Sequence, residues 1–162
     1  MKPPKPSIEL DFQVACSSSD IPAEALFHSW IESALNGSDI EHPIVSIRIV
    51  ATDESRHLNS TYRGKDNSTN VLSFPFESPP GVPEEEFAGF LGDLVICANV
   101  VNAEAQQQNK PLHHHWAHIV IHGVLHLLGY DHIDENDAEE MESLERQLLA
   151  TLNIPDPYLV ND

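Results

Sequence analysis

His122-Gly123-Val124-Leu125-His126-Leu127-Leu128-Gly129-Tyr130-Asp131-His132 spaces its histidines as H-x3-H-x5-H. On a helix, residues four apart stand one turn apart on the same face. The imidazoles of His122 and His126 can therefore converge on one ion. Gly129 offers a helix stop, because glycine takes the left-handed cap conformation without steric cost. A chain that turns there can bring His132 back as a third nitrogen donor. Three neutral nitrogens favour zinc, with nickel, copper and iron as other occupants of such a set. Three protein ligands leave a coordination position for water, which marks a catalytic rather than a structural site. A single histidine beside an apolar helix is usually a packed core residue. A pair at i and i+4 followed by a third after a glycine turn points instead to one metal ion per chain, held by His122, His126 and His132.

The zinc protease motif has the same skeleton, with Glu directly after the first histidine as general base. Gly123 stands at that position and has no proton acceptor on its side chain. The metal set reads as a hydrolase, and the missing glutamate reads against an ordinary protease.

A chain of 162 residues is long enough for one domain with a real core. Its formal net charge is −18, which argues against broad, non-specific nucleic-acid binding. The basic residues are not spread evenly. Arg48, Arg56, Arg63 and Lys65 are half of the eight, in a stretch whose only acids are Asp53 and Glu54, so a locally basic face is expected. Cys16 and Cys97 lie far apart and form no C-x-x-C, so a reduced pair is expected. The start, Met1-Lys2-Pro3-Pro4-Lys5-Pro6, has no apolar core of a signal peptide and reads as a disordered tail. No apolar run approaches membrane-spanning length. These features predict a cytoplasmic protein that does not engage membranes.

Hydrophobic periodicity orders the chain. Ile8, Leu10, Phe12 and Val14 alternate as a strand. A loop over Ser17 to Asp20 ends in a helix cap, and Leu26, Phe27, Trp30, Ile31, Ala34 and Leu35 recur at helical spacing over 21–35. Val45, Ile47, Ile49 and Ala51 form a second strand. Thr52 or Asp53 then caps a helix of about ten residues, which leads into a turn at Arg63-Gly64-Lys65. Val71 to Phe74 is a third strand closed by Pro75, and residues 77–87 are a Pro/Gly/Glu-rich surface loop, read as a solvated excursion in preference to a lid. Phe90 to Ala98 is a fourth strand. Helices follow over 99–108, 112–128 (the metal helix) and 134–152. In the last, Met141, Leu144, Leu148, Leu149 and Leu152 make the apolar stripe and the acids a solvated face. The predicted fold is α+β: a small mixed four-stranded sheet with about five helices, and a metal site on a central helix plus the loop after it.

Four segments together resemble the YbeY family of bacterial metal-dependent endoribonucleases linked to ribosomal RNA maturation. They are Leu58-Asn59-Ser60-Thr61-Tyr62-Arg63, Thr69-Asn70-Val71-Leu72-Ser73-Phe74-Pro75, Gly92-Asp93, and the run from His118 through His122, His126 and Gly129 to His132. Asn70 stands where many members carry Asp. The resemblance implies zinc at His122, His126 and His132, a functional arginine at Arg63, and a small mixed sheet beside the metal helix. It makes Arg63 and His122 the candidate catalytic residues. It further implies single-stranded regions of ribosomal RNA as substrate, cleavage at the 3′ end of 16S rRNA, and the small ribosomal subunit and its proteins as partners, with no DNA. The chain's acidity suits docking to basic ribosomal proteins.

The arginine also makes chemical sense. Phosphodiester cleavage builds negative charge on phosphoryl oxygens, and a guanidinium can clamp two of them at once. The nucleophile is either water or the RNA 2′-OH, and the sequence does not choose. His115 and His118 share the stripe of His122 and can line the metal cleft. Asp131 is placed either to orient a ligand imidazole or to stabilise the turn. Tyr130 reads as packing. Two other readings remain: a ribosome-assembly factor with a structural zinc, and a metalloprotease-like hydrolase lacking its glutamate.

Overall fold

Four strands form one mixed sheet in the computed structural model, which describes residues 8–17, 20–36, 38, 40, 42–83, 87, 89–130 and 134–158. The chain runs β1 (Glu9–Ala15), α1 (Glu24–Ala34), β2 (Ile44–Val50), α2 (Thr52–Arg63), β3 (Val71–Pro75) and β4 (Phe90–Cys97). It continues through α3 (Ala98–Gln107), α4 (Leu112–Leu127) and α5 (Glu135–Thr151). The sheet order is β1-β2-β4-β3. β1, β2 and β4 are parallel, and β3 is the antiparallel edge. The architecture is α+β with five helices, as the periodicity predicts.

Alternation along the strands divides the core between two faces. Val45, Ile47 and Ile49 of β2 and Leu94 and Ile96 of β4 are fully buried in the main core. They meet Phe27 and Ile31 of α1 and Trp116, Val120 and Val124 of α4 there. The opposite face carries a smaller cluster of Val50, Leu72, Val95 and Cys97, with Leu58 of α2 packed against it. α4 is therefore buried almost all round, which suits a helix at the centre of a domain. Trp116 keeps its indole N–H satisfied on Asn102 at 2.7 Å. Cys97 is buried and both cysteines are free.

Gly123 lets α4 approach the sheet. A Cβ there would lie 2.9 Å from Cδ2 of Leu94 and 3.4 Å from Cγ2 of Val71. The residue that replaces the protease glutamate thus faces β3 and β4, away from the line of histidines.

Several sequence-based boundaries shift. Ile21 precedes a proline and is steered to extended backbone, so α1 begins at Glu24 with Ala23, not Asp20, at its N-cap. Thr52 is the first residue of α2 rather than its cap, and the helix runs on to include Arg63, with Gly64 as its left-handed C-cap. Val14, at the end of an edge strand, is half exposed. The buried side chains Ser55 and Asn59 hold the segment after α2. Ser55 Oγ donates to the carbonyl of Thr69 at 3.1 Å, and Asn59 Nδ2 donates to the carbonyl of Asn67 at 2.9 Å. These bonds deliver Asn70 and β3 to the side of α4.

Candidate metal centre and cleft

His115, His118, His122 and His126 follow one stripe of α4 at spacings of three, four and four residues. The ring centroids of His122 and His126 are 4.6 Å apart, and their Nε2 atoms approach to 3.1 Å. Two ligand nitrogens on one tetrahedral zinc stand about 3.3 Å apart when each bond is 2.0–2.1 Å. The pair therefore fits a shared ion. α4 ends as the glycine predicts: Gly129 has φ 104°, its N–H donates to the carbonyl of His126, and the N–H of Tyr130 donates to that of Leu125, both at 3.0 Å. This double closure is a Schellman motif. The expected third ligand, His132, and its neighbour Asp131 lie outside the described residues.

Glu145 of α5 is fully buried beside this pair. Its Oε1 accepts from Nδ1 of His122 at 2.6 Å, and its Oε2 accepts from Nε2 of His118 at 2.7 Å and from the Tyr158 hydroxyl at 2.5 Å. Burial alone would raise the carboxyl pKa, but hydrogen bonds from His118 and His122 outweigh it and hold the group far below the usual carboxylate range. Nδ1 of His122 must carry the proton it shares with a carboxylate. Its Nε2, which faces Nε2 of His126, is then an unprotonated nitrogen of the kind that can ligate a metal.

His118, His122 and Glu145 also bring donor atoms within 4.8 Å of one another, and this group could itself hold a metal ion. In the arrangement seen, those donors are engaged with one another inside the protein, whereas Nε2 of His122 meets Nε2 of His126 at the wall of an open cleft. The chemistry of the donors favours the second position, with Glu145 as the carboxylate behind a ligand histidine.

The solvated acidic face expected for α5 is therefore wrong at Glu145. The spacing held the signal: Glu145 lies four residues after Met141 and three and four before Leu148 and Leu149, inside the apolar stripe. His118 joins the network as its place on the stripe suggests. Burial lowers its pKa despite the opposite pull of Glu145. Nε2 of His115 lies 3.0 Å from Glu104, which also accepts from Asn70 at 3.1 Å.

The cleft has a volume of about 430 Å³ and is lined by Arg63, Asn70, Ser73, His122, His126 and Tyr130, among others. No Asp or Glu is among its described lining residues. Arg63 reaches it from the end of α2, and its Nη2 donates to the carbonyl of Ser73 at 3.3 Å. The Ser73 hydroxyl donates to the carbonyl of Gly123 at 3.3 Å.

The expected basic face is smaller than composition suggests. Arg48 is paired with Glu54 at 2.6 Å and Arg56 with Asp66 at 2.7 Å, which neutralises half of the cluster. Asp93, though part of a quoted motif, is exposed on the far side of the sheet, in a groove shared with Arg48, Glu54 and Tyr62.

A family model described as endoribonuclease YbeY matches residues 13–153. The fold is similar to the solution structure of TM1509 from Thermotoga maritima, at 24% identity and a TM-score of 0.55, over 90% of this chain and 91% of that one. The match to the family model runs through β2, α2, the cleft and the metal helix, and the chain belongs to the YbeY endoribonuclease family, hydrolases that act on RNA in ribosomal RNA processing.

Proposed function

We propose that this protein is a zinc-dependent, single-strand-specific endoribonuclease, a single domain over residues 1–162 that matures the 3′ end of 16S rRNA in the cytoplasm. On this reading it also serves ribosome assembly and quality control, in contact with the small subunit and its proteins. The observation that carries the proposal is one cleft lined both by the convergent imidazoles of His122 and His126 and by the guanidinium of Arg63.

His122, His126 and His132 would hold the ion. When bound, zinc supplies Lewis-acid chemistry toward water and a phosphoryl oxygen. The protein's own groups do the rest. Glu145 keeps the proton of His122 on Nδ1 and fixes the ring. Arg63 receives the negative charge that develops on the phosphoryl group, as a fork that meets two oxygens. The protease-like reading is the weaker one, because the position of its general base is occupied by Gly123, packed against Leu94.

Single-stranded and duplex RNA of the same sequence distinguish this function from an assembly role with a structural zinc. Cleavage of the single strand alone, lost on chelation while the protein stays folded, is the expected result. A chelated protein that unfolds, with no cleavage of either RNA at full zinc occupancy, would favour the structural role.

A further inference from the structure

Beyond the histidines, the chain after α5 is itself built into the metal centre. It leaves the helix at Asn153, turns, and is tied down at three points before it reaches Tyr158. The N–H of Ile154 donates to the carbonyl of Leu149 at 2.9 Å. Nζ of Lys110, in the loop before α4, donates to the carbonyl of Pro157 at 2.7 Å. Asp156 is held from both sides, accepting from Nε of Arg146 at 3.0 Å and from the backbone N–H of Tyr158 at 2.8 Å. The strap therefore joins α5 to the start of α4, packs Ile154 against the core and lays the partly exposed Tyr158 ring over His118 with its hydroxyl directed inward. The Tyr158 ring stands edge-on to His118 with centroids 5.4 Å apart, and the Arg146 guanidinium lies 5.4 Å from its centre. Its hydroxyl reaches Oε2 of the buried Glu145.

We propose that Tyr158 is a positioning residue for the metal centre, acting through Glu145 on the ligand His122. A carboxylate with one oxygen on His122 can rotate about its own bond. Two donors on the other oxygen, His118 and Tyr158, fix its plane and so fix the direction in which Oε1 meets Nδ1 of His122. The order is hydroxyl, carboxylate, imidazole, metal. Partners behind a ligand histidine set its orientation and tautomer, and their loss typically weakens metal binding by about 10–100-fold. Tyr158 stands one step further out, so a loss of roughly three- to tenfold is expected from the same comparison. This inference rests on the reading that His122 is a metal ligand.

The test is the dissociation constant for Zn2+, measured on the full chain by competition with a chromophoric chelator. The variants are wild type, His122→Ala, Tyr158→Phe, Glu145→Gln and the double variant. Phenylalanine keeps the ring packed on His118 and Arg146 and removes only the hydroxyl, so the fold survives. The expected result is weaker Zn2+ binding in Tyr158→Phe, a larger loss in Glu145→Gln, and no additional loss when the two are combined. The Co2+-loaded form of Tyr158→Phe should also show a shifted visible spectrum, because the His122 ligand is less fixed. A tyrosine that only braces the tail would lower the melting temperature of the metal-free protein and leave the Zn2+ constant and the Co2+ spectrum unchanged; that outcome overturns the proposal while His122→Ala still loses metal. Independent losses that add in the double variant overturn it too. Full Zn2+ affinity in His122→Ala would remove the proposal together with the reading beneath it.

Discussion

Nδ1 of His122 donates to Oε1 of Glu145 at 2.6 Å, so a ligand candidate on the central helix is held by a carboxylate from the last one. α4 and α5 are coupled through this bond. The candidate metal centre is therefore anchored in the core through Glu145, while His122 and His126 stand at the wall of the cleft.

That coupling sets a pH dependence for the metal-free protein. The Glu145 carboxyl, ordinarily near 4.5, is held lower in the fold. Its contribution to stability is complete above the unfolded value and is lost as pH falls through the folded one. His118, ordinarily near 6.5, is also held lower. A group kept neutral in the fold stabilises above its unfolded pKa and loses that contribution as pH falls toward the folded value. Both slopes have the same sign. Denaturant unfolding should find stability falling on acidification from pH 7, first below 6.5 and again below 4.5. Glu145→Gln should shrink the lower step, leaving the share of Glu104 and the other paired carboxylates, and cost about 1–3 kcal/mol at neutral pH, because an amide leaves at least one donor without an acceptor. Stability that stays flat from pH 7 to pH 4 would contradict this.

Gly123 should resist every side chain. Gly123→Ala gains about 1 kcal/mol in helix propensity, but its methyl meets Leu94, which is fully buried and boxed in. Overpacking of this kind costs about 1–3 kcal/mol. The net expectation is a lower melting temperature, and Gly123→Glu should be worse and should gain no peptidase activity. A stabilised Gly123→Ala would mean that Leu94 has room to move.

Arg63→Ala should leave metal content and melting temperature nearly unchanged, since the side chain is exposed and bonds only weakly to the carbonyl of Ser73. RNA cleavage should fall by about 10²–10³-fold, the scale of one lost electrostatic contact in the transition state. Arg63→Lys should recover part of this, because lysine keeps the charge and loses the fork. Wild-type cleavage by Arg63→Ala would remove the residue from the mechanism.

Most of the fold is legible in the periodicity of the chain. The four strands and the helices α1, α4 and α5 have apolar patterns of their own, α2 is placed by its polar start and its glycine stop, and Gly129 marks the end of α4 by conformation alone. What is not legible is pairing. Arg48 and Arg56 look like a basic patch in sequence, because the carboxylates that neutralise them, Glu54 and Asp66, are six and ten residues away with nothing local to link them. Glu145 was readable in part: its place on the apolar stripe demands an explanation, but its partners lie on another helix 23 and 27 residues back. Tyr158 had no signal at all, since a tyrosine in a proline-containing tail has no periodicity to place it.

The most direct test of the central claim is cleavage of a single-stranded RNA by wild type and by His126→Ala, each measured after metal removal and again after Zn2+ is restored, with bound metal determined on the same samples. Wild type should carry one ion per chain, lose cleavage when stripped and regain it with Zn2+. His126→Ala should remain folded, hold little metal and cut at no more than the stripped rate. Full cleavage by metal-free wild type, or by a His126→Ala protein that holds no ion, would show that the histidine pair and its metal are not the centre of the reaction.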